Sequence, residues 1–360
     1  MKPRLYFEYK RARLLSYDKL PRIFNFELFT FNSKGDPMTD TTITVLLAED
    51  EPSLPGLDSL SDHARVREVR TPDALRAALP DTQVLVVTDF RTDLLEEVWP
   101  DNCPVRWVHA TSAGVDALMI DPIKHSDIVV TNARGIFDRG IAEYVLGALL
   151  MFAKDTLGNL ALKEQHRWQH RETRMLRGAN ALIVGAGSIG REVATVLGAM
   201  GMNVIGTARH ARQDSAFDRV HRQQDLPALL GDADYVVITA PLTPDTDGLF
   251  DAATFRQMKP GAALVNVGRG PIVRTDALLQ ALQRGRLAGA ALDVFEAEPL
   301  PADHPLWNHP KVMISAHMAG DFIGWRQALG QQFVDNFHRW RRGQPLDNPV
   351  SKEHGYVTNR

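Results

Sequence analysis

Three side chains in the C-terminal half offer chemistry. Val265-Asn-Val-Gly-Arg269-Gly270 ends one apolar run on a glycine-flanked arginine. Gly289-Ala-Ala-Leu-Asp293-Val-Phe-Glu296-Ala-Glu298-Pro299-Leu300 ends a second on acids, and Val312-Met-Ile-Ser-Ala-His317-Met-Ala-Gly320 ends a third on a histidine. Singly, each has a plain explanation: a strand-end arginine makes surface ion pairs, glutamate before proline makes turns, and a lone histidine is more often structural. Together they suit one reaction. Reducing a 2-oxo acid needs a cation to hold the carboxylate and polarise the ketone, and the planar fork of arginine does both. It also needs a proton donor working near neutral pH, which is the range of histidine. A neighbouring carboxylate fixes the imidazole tautomer and favours its protonated form. Ligands of open α/β sheets bind outside the carboxyl ends of the strands, where these three ends converge.

A fourth motif points to a partner for that reaction. Ala181-Leu-Ile-Val-Gly185-Ala-Gly187-Ser-Ile-Gly190 is a β-rich run leading into G-x-G-x-x-G, followed by a helical pattern with Val193, Ala194, Val196 and Leu197 on one side. Gly185 permits the tight turn, Gly187 lets the backbone approach a pyrophosphate, and Gly190 brings helix against strand. The helix N-terminus offers N–H groups to the anion. The next run should end on an acid that bonds the adenosine ribose of NAD. Here Thr207-Ala208-Arg209-His210-Ala-Arg212 stands instead. Such arginines are either a solvated loop or a pocket for the 2′-phosphate of NADP. On the second alternative Arg209 makes charge-assisted bonds, joined by Arg212, and Thr207 adds a hydroxyl. The expected cofactor is NADP in preference, with NAD possible.

These motifs need a frame. Nearly all-apolar β runs are expected at 43–48, 83–88, 105–109, 128–131, 181–184, 203–207, 235–240, 262–267, 289–294 and 312–315, as in parallel strands covered on both faces. Capped helices separate them: Thr71-Pro72-Asp73 opens one, and Thr275-Asp276 opens another that stops at Gly285. Long helices are expected over 141–169 and 324–342. The result is an α/β protein with two doubly wound parallel-sheet domains. The two long helices would let the chain leave the first domain, build a Rossmann-like nucleotide-binding domain inserted in it, and return. The alternative is two consecutive domains with the last helix packed on the second.

On these motifs the chain, over roughly residues 43–350, resembles the D-isomer-specific 2-hydroxyacid dehydrogenase family. The spacing agrees as well, with 29 residues from Arg269 to Glu298 and 19 more to His317. The resemblance implies Arg269 as substrate anchor, His317 as acid/base and Glu298 as its orienting partner. It implies that Ala113 and Gly114, in Thr111-Ser-Ala-Gly-Val-Asp116, present N–H groups to the substrate carboxylate. Ser188 and Ile189 would lie against the pyrophosphate, and Val267, Gly268 and Gly320 near the nicotinamide. Asp293 would bond the carboxamide, although a strand-end aspartate equally caps a turn. Residues 43–140 with 321–350 form the substrate domain on this view, and 141–320 the dinucleotide-binding domain. A homodimer through the helix from Ile141 and the segment 164–177, with Trp168 and Met175 as anchors, is also implied. Two departures stand out: Met-Ala-Gly follows His317 where two glycines are common, and Ala208 replaces the acid. Glu298 sets the chain apart from the formate dehydrogenases of this fold, which carry glutamine there.

Composition narrows the classes further. Net charge near −3 leaves no footprint for nucleic acid. The longest apolar stretch, 141–153, is too short to span a bilayer and contains Glu143. One cysteine, Cys103, gives neither an internal disulfide framework nor a cysteine-rich metal site, and no metal is expected. A cytoplasmic address follows. Residues 1–37 differ from the rest: eight aromatics and eight basic against four acidic residues follow no helical or strand period. They read as a poorly ordered arm or a non-native upstream extension, with Met38 as a natural start. The leading function is an NAD(P)-dependent oxidoreductase making a D-2-hydroxy acid from glyoxylate, hydroxypyruvate or a similar small 2-oxo acid. The alternatives are a corepressor-like nucleotide sensor on the same fold and a phosphoglycerate dehydrogenase without a regulatory domain. Phe322 and Trp325 either line the pocket or belong to the core.

Overall fold

The computed structural model describes residues 41–88 and 94–357. The expectation for residues 1–37 lies outside the described residues. Strands β1 (Thr42–Leu46), β2 (Arg65–Val69), β3 (Val84–Val87), β4 (Trp107–Ala110) and β5 (Val129–Thr131) form one sheet, ordered β2-β1-β3-β4-β5. A second sheet holds β6 (Asn180–Val184), β7 (Asn203–Ala208), β8 (Arg219–Arg222), β9 (Tyr235–Ile238), β10 (Ala262–Asn266), β11 (Leu287–Leu292) and β12 (Val312–Ile314), ordered β12-β11-β10-β9-β6-β7-β8. All the pairings are parallel. Each sheet starts inside and is wound both ways, so each has a switch point where neighbouring loops part and leave a crevice.

Two strands are absent from the sequence expectation, β2 and β8. Both are edge strands, and both carry arginines (Arg65 and Arg67; Arg219 and Arg222) that an edge tolerates and a central strand does not. The expected single helix over 141–169 is corrected to two, Asp138–Ala153 and Thr156–Glu164, bent by 60°. Asp155 at the break has φ 49°, accepts from the Gly158 N–H and is held by Arg171 Nε at 2.7 Å. A cap therefore interrupts a run whose apolar period continues through it.

Packing explains the order of the domains. Helix Asp138–Ala153 buries Ile141, Ala142, Val145 and Leu149 against Ile183, Val237 and Val265 of the second sheet and Val193 and Leu197 of the helix after β6. The last helix, Trp325–Arg341, instead returns to the first sheet, where Leu329, Phe333 and Phe337 pack on Ile43, Val84 and Trp107. The Phe333 and Trp107 rings stack with centroids 5.2 Å apart. The fold is thus two doubly wound α/β domains, the seven-stranded one Rossmann-like and inserted in the other. Among the described residues no single helix is long and apolar enough to cross a membrane; the bent pair passes that test only together.

Candidate active site

The glycine turn is built as its sequence demands. Gly185 has φ 110°, and a Cβ there would meet the Ala240 backbone nitrogen at 2.6 Å, so only glycine fits. A Cβ on Gly190 would stand 2.1 Å from the Gly185 carbonyl oxygen, which shows how closely helix Ser188–Ala199 crosses the strand end. A Cβ on Gly187 meets nothing, because that backbone faces open space. Next in the chain, Ser188 lines a cleft of about 420 Å3 together with Arg134, Asp138, Arg191, Glu192 and Thr195. A bare turn, a helix N-terminus and arginine side chains beside a cleft are what a pyrophosphate requires, so these residues fit a dinucleotide. The Ser188 hydroxyl donates to Asp138, and Ile189 packs partly on the core of the second sheet. Arg134, in the turn before helix Asp138–Ala153, and Arg191, on helix Ser188–Ala199, are not part of the sequence expectation, since neither arginine belongs to a motif.

His317 follows β12 in the left-handed region at φ 52°, a conformation costing a non-glycine residue about 1–2 kcal/mol. Asp293 holds it there. The Asp293 carbonyl accepts the His317 N–H at 2.8 Å; its carboxylate accepts the N–H groups of Met318 at 2.9 Å and Ala319 at 3.0 Å and the Ser315 hydroxyl at 2.6 Å. Tyr144 OH lies 2.7 Å from that hydroxyl, which ties the loop to helix Asp138–Ala153. Buried Asp293 thus caps the turn that carries His317. Gly320 lies against Phe137, whose ring a Cβ would meet at 2.9 Å. Val267 is buried, and a Cβ on Gly268 would meet the Ala240 carbonyl at 2.7 Å.

Glu298 joins His317 as expected: Oε2 lies 2.8 Å from Nδ1, while Oε1 accepts the Phe295 N–H at 2.9 Å. Burial pushes the Glu298 carboxyl up, but the His317 bond, the Phe295 N–H and the charges of His317 and Arg269 outweigh it and hold it below the usual range. Arg269 projects from the end of β10, where Asn266 clamps the turn by accepting the Gly268 N–H at 3.1 Å and donating to the Arg269 carbonyl at 3.1 Å. Its guanidinium crosses to the first domain and lies on Gly114, where a Cβ would come within 1.6 Å of Nη2. Nε and Nη2 each lie 3.1 Å from Asp116 Oδ1. The Ala113 carbonyl accepts from Asn132 at 2.5 Å and the Gly114 carbonyl from Ser112 at 2.6 Å. Peptide planarity then turns the Gly114 N–H away from Asn132. Loop, arginine, glutamate and histidine form one electrostatic unit, in which Asp116 occupies the guanidinium as a substrate carboxylate would. Asp116 escapes sequence reasoning, because nothing local shows that an acid in the first domain meets an arginine 153 residues later.

At the ribose end the expectation needs one correction. Thr207 is fully buried with its hydroxyl donating to Gln223 at 3.0 Å, so it does not face a phosphate. Arg212 turns to the Ala186 carbonyl at 2.5 Å and to Asp214, which is itself paired with Arg191. Arg209 remains exposed. Phe322 is exposed beyond His317, whereas Trp325 packs with Phe137 at 6.1 Å on the first-domain core. Among the described residues no three His, Cys, Asp or Glu side chains gather as a metal site.

Known proteins resemble this chain in sequence and fold. The family model "D-isomer specific 2-hydroxyacid dehydrogenase, NAD binding domain" matches residues 146–319. The glyoxylate/hydroxypyruvate reductase A of Serratia proteamaculans is 32% identical over 258 residues, covering 70% of this chain and 82% of that one. A D-isomer specific 2-hydroxyacid dehydrogenase family protein from Aeromonas salmonicida aligns with TM-score 0.73 at 34% identity, over 87% of this chain and 99% of that one. An NADPH-dependent glyoxylate/hydroxypyruvate reductase from Sinorhizobium meliloti, solved with NADP and sulfate, aligns with TM-score 0.78 at 28% identity, over 88% and 100%. A glycine turn shaped for a dinucleotide, and an arginine facing a glutamate–histidine pair, are thus found in a chain that these relatives match along most of its length. It belongs to the D-isomer specific 2-hydroxyacid dehydrogenase family, oxidoreductases that work with a nicotinamide cofactor.

Proposed function

We propose that this protein transfers a hydride between NAD(P)H and a small 2-oxo acid to give a D-2-hydroxy acid, with glyoxylate and hydroxypyruvate as the first substrates. One observation carries the reading: the Arg269 guanidinium lies on Gly114 while its charge reaches the Glu298–His317 pair. Bound reduced nicotinamide supplies the hydride. Arg269 and the N–H groups of Ala113 and Gly114 hold the substrate carboxylate, which takes over the guanidinium edge from Asp116. His317 gives a proton to the carbonyl oxygen in reduction and recovers it in oxidation, while Glu298 holds the ring through Nδ1. In this reading residues 43–140 with 321–350 bind the substrate and residues 141–320 the dinucleotide, through Gly185, Gly187, Gly190, Ser188 and Ile189 at the pyrophosphate and Val267, Gly268 and Gly320 at the nicotinamide.

NADP is the preferred cofactor in this proposal. Ala208 offers no acid to repel a 2′-phosphate, Arg209 is exposed beside it, and the Sinorhizobium meliloti relative is described as NADPH-dependent. The test is kcat/KM with NADPH and with NADH on both oxo acids, in the wild type and in Arg209→Ala. We expect NADPH to be favoured about ten- to a hundred-fold, mainly through KM, and the preference to collapse in the variant. Equal efficiency in the wild type, or an unchanged preference in the variant, overturns the assignment. The reading extends to a cytoplasmic homodimer. Its support is the exposed Leu160 on helix Thr156–Glu164 and the exposed Trp168 and Met175 on the segment after it, together with ordinary charge and one cysteine. A monomeric mass at micromolar protein would reject the dimer.

A further inference from the structure

Of the three groups weighed above for a 2′-phosphate, Thr207 and Arg212 are committed elsewhere and Arg209 is exposed, and it already has company. Its Nη1 lies 2.8 and 3.0 Å from the two ring nitrogens of His354, and its guanidinium carbon lies 5.8 Å from the centre of the Tyr356 ring. The two rings stack on each other, with centroids 5.9 Å apart and planes 28° apart. Both belong to a turn closed by the Ser351 N–H to the Tyr356 carbonyl at 3.1 Å and the Gly355 N–H to the Ser351 carbonyl at 2.8 Å. That turn is fastened to the first domain. The Val350 N–H donates to Val130 of β5 at 2.8 Å, and Lys352 Nζ donates to the Ser126 carbonyl at 2.6 Å. A segment anchored on the first sheet thus reaches the loop that follows β7 of the second.

A phosphate dianion demands several converging donors, and one exposed arginine on a loop is a weak site because it loses side-chain freedom on binding. A tyrosine ring under the guanidinium removes much of that freedom beforehand, and the imidazole adds a ring N–H. Resting on the NADP reading above, we propose that His354 and Tyr356 complete the binding site for the 2′-phosphate of a 2′-phosphorylated adenine nucleotide, His354 as a donor and Tyr356 as the platform that positions Arg209. The phosphate then sits where the C-terminal turn of one domain meets the cofactor loop of the other.

The test is calorimetric binding of 2′,5′-ADP and of 5′-AMP, which differ only in the 2′-phosphate, to the full-length protein and its His354→Ala, His354→Gln and Tyr356→Phe variants. In the wild type we expect 2′,5′-ADP to bind more tightly. His354→Ala should lose about ten-fold in 2′,5′-ADP affinity, the loss of one hydrogen bond to a charged group, with 5′-AMP unchanged. His354→Gln, which keeps a donor, should recover part of the loss, and Tyr356→Phe, which keeps the platform, should bind as the wild type does. If the wild type discriminates but His354→Ala binds 2′,5′-ADP equally well, or if His354→Ala weakens both ligands alike, the inference falls while the NADP reading stands. If the wild type binds both ligands equally, the NADP reading falls and takes the inference with it.

Discussion

Gly114→Ala tests the substrate anchor without replacing a charged residue. The new Cβ would lie 1.6 Å from Nη2 and 2.6 Å from Cζ of Arg269, whereas ordinary contact begins at 3.4 Å, so the guanidinium must retreat by about 1.8 Å. It can do so, because it is the far end of a flexible side chain. The cost to stability is therefore small. The lost Arg269–Asp116 pair is partly exposed and worth at most about 1 kcal/mol. Replacing glycine stiffens the unfolded chain and returns about 0.4–1 kcal/mol, since Gly114 is not among the glycines with positive φ. Catalysis is another matter. Misplacing a reacting group by about 1 Å costs about 100-fold, and losing a charge-stabilising donor about 100- to 1,000-fold. The expected outcome is a kcat/KM for glyoxylate or hydroxypyruvate lowered about 100- to 1,000-fold at nearly unchanged melting temperature. Gly190→Ala is the contrasting case, because its Cβ would meet a backbone carbonyl at 2.1 Å and the turn itself must move, so that variant should lose stability. A folded Gly114→Ala enzyme with wild-type kcat/KM would refute the assignment of Arg269, held against this loop, as the anchor.

Other expectations concern proton-linked behaviour. Glu298→Gln should lower kcat about 100- to 10,000-fold in both directions, because the Nδ1 bond that fixes the tautomer and orientation of the His317 ring loses its carboxylate; an unchanged kcat excludes the pairing as a functional one. His109 is fully buried, with Nδ1 2.8 Å from Thr131 Oγ1 and Nε2 without a hydrogen-bond partner among the described residues, and burial pushes its pKa down to about 3. The unfolded chain takes that proton near pH 6.5 and the native state does not, so this contribution is full above about 6.5 and is lost as pH falls toward 3, by about 2–3 kcal/mol at pH 4.5. Urea midpoints of the wild type and His109→Gln at pH 7.5 and pH 4.5 should show the variant losing correspondingly less stability on acidification; parallel losses would place the acid sensitivity elsewhere.

Local chemistry made much of this protein legible in one dimension. A turn that only glycine can make, and apolar runs covered on both faces, follow from sterics and burial within a few residues. Gly185, Gly190 and the central strands could therefore be assigned without a structure. Arg269, Glu298 and His317 could be singled out in the same way, by residue type and position at a run's end, and the structure brings Glu298 and His317 to 2.8 Å. What failed depended on partners distant in the chain. Edge strands β2 and β8 carry charged residues and are only partly covered, and only the sheet order shows which strands are edges. Thr207 reads as a ligand until burial commits its hydroxyl to Gln223. Asp116 against Arg269, and His354 against Arg209, join residues 153 and 145 positions apart. A hydrogen bond or ion pair depends on angstroms, and sequence fixes distance only within an element. Across domains, tertiary packing alone decides which charges meet.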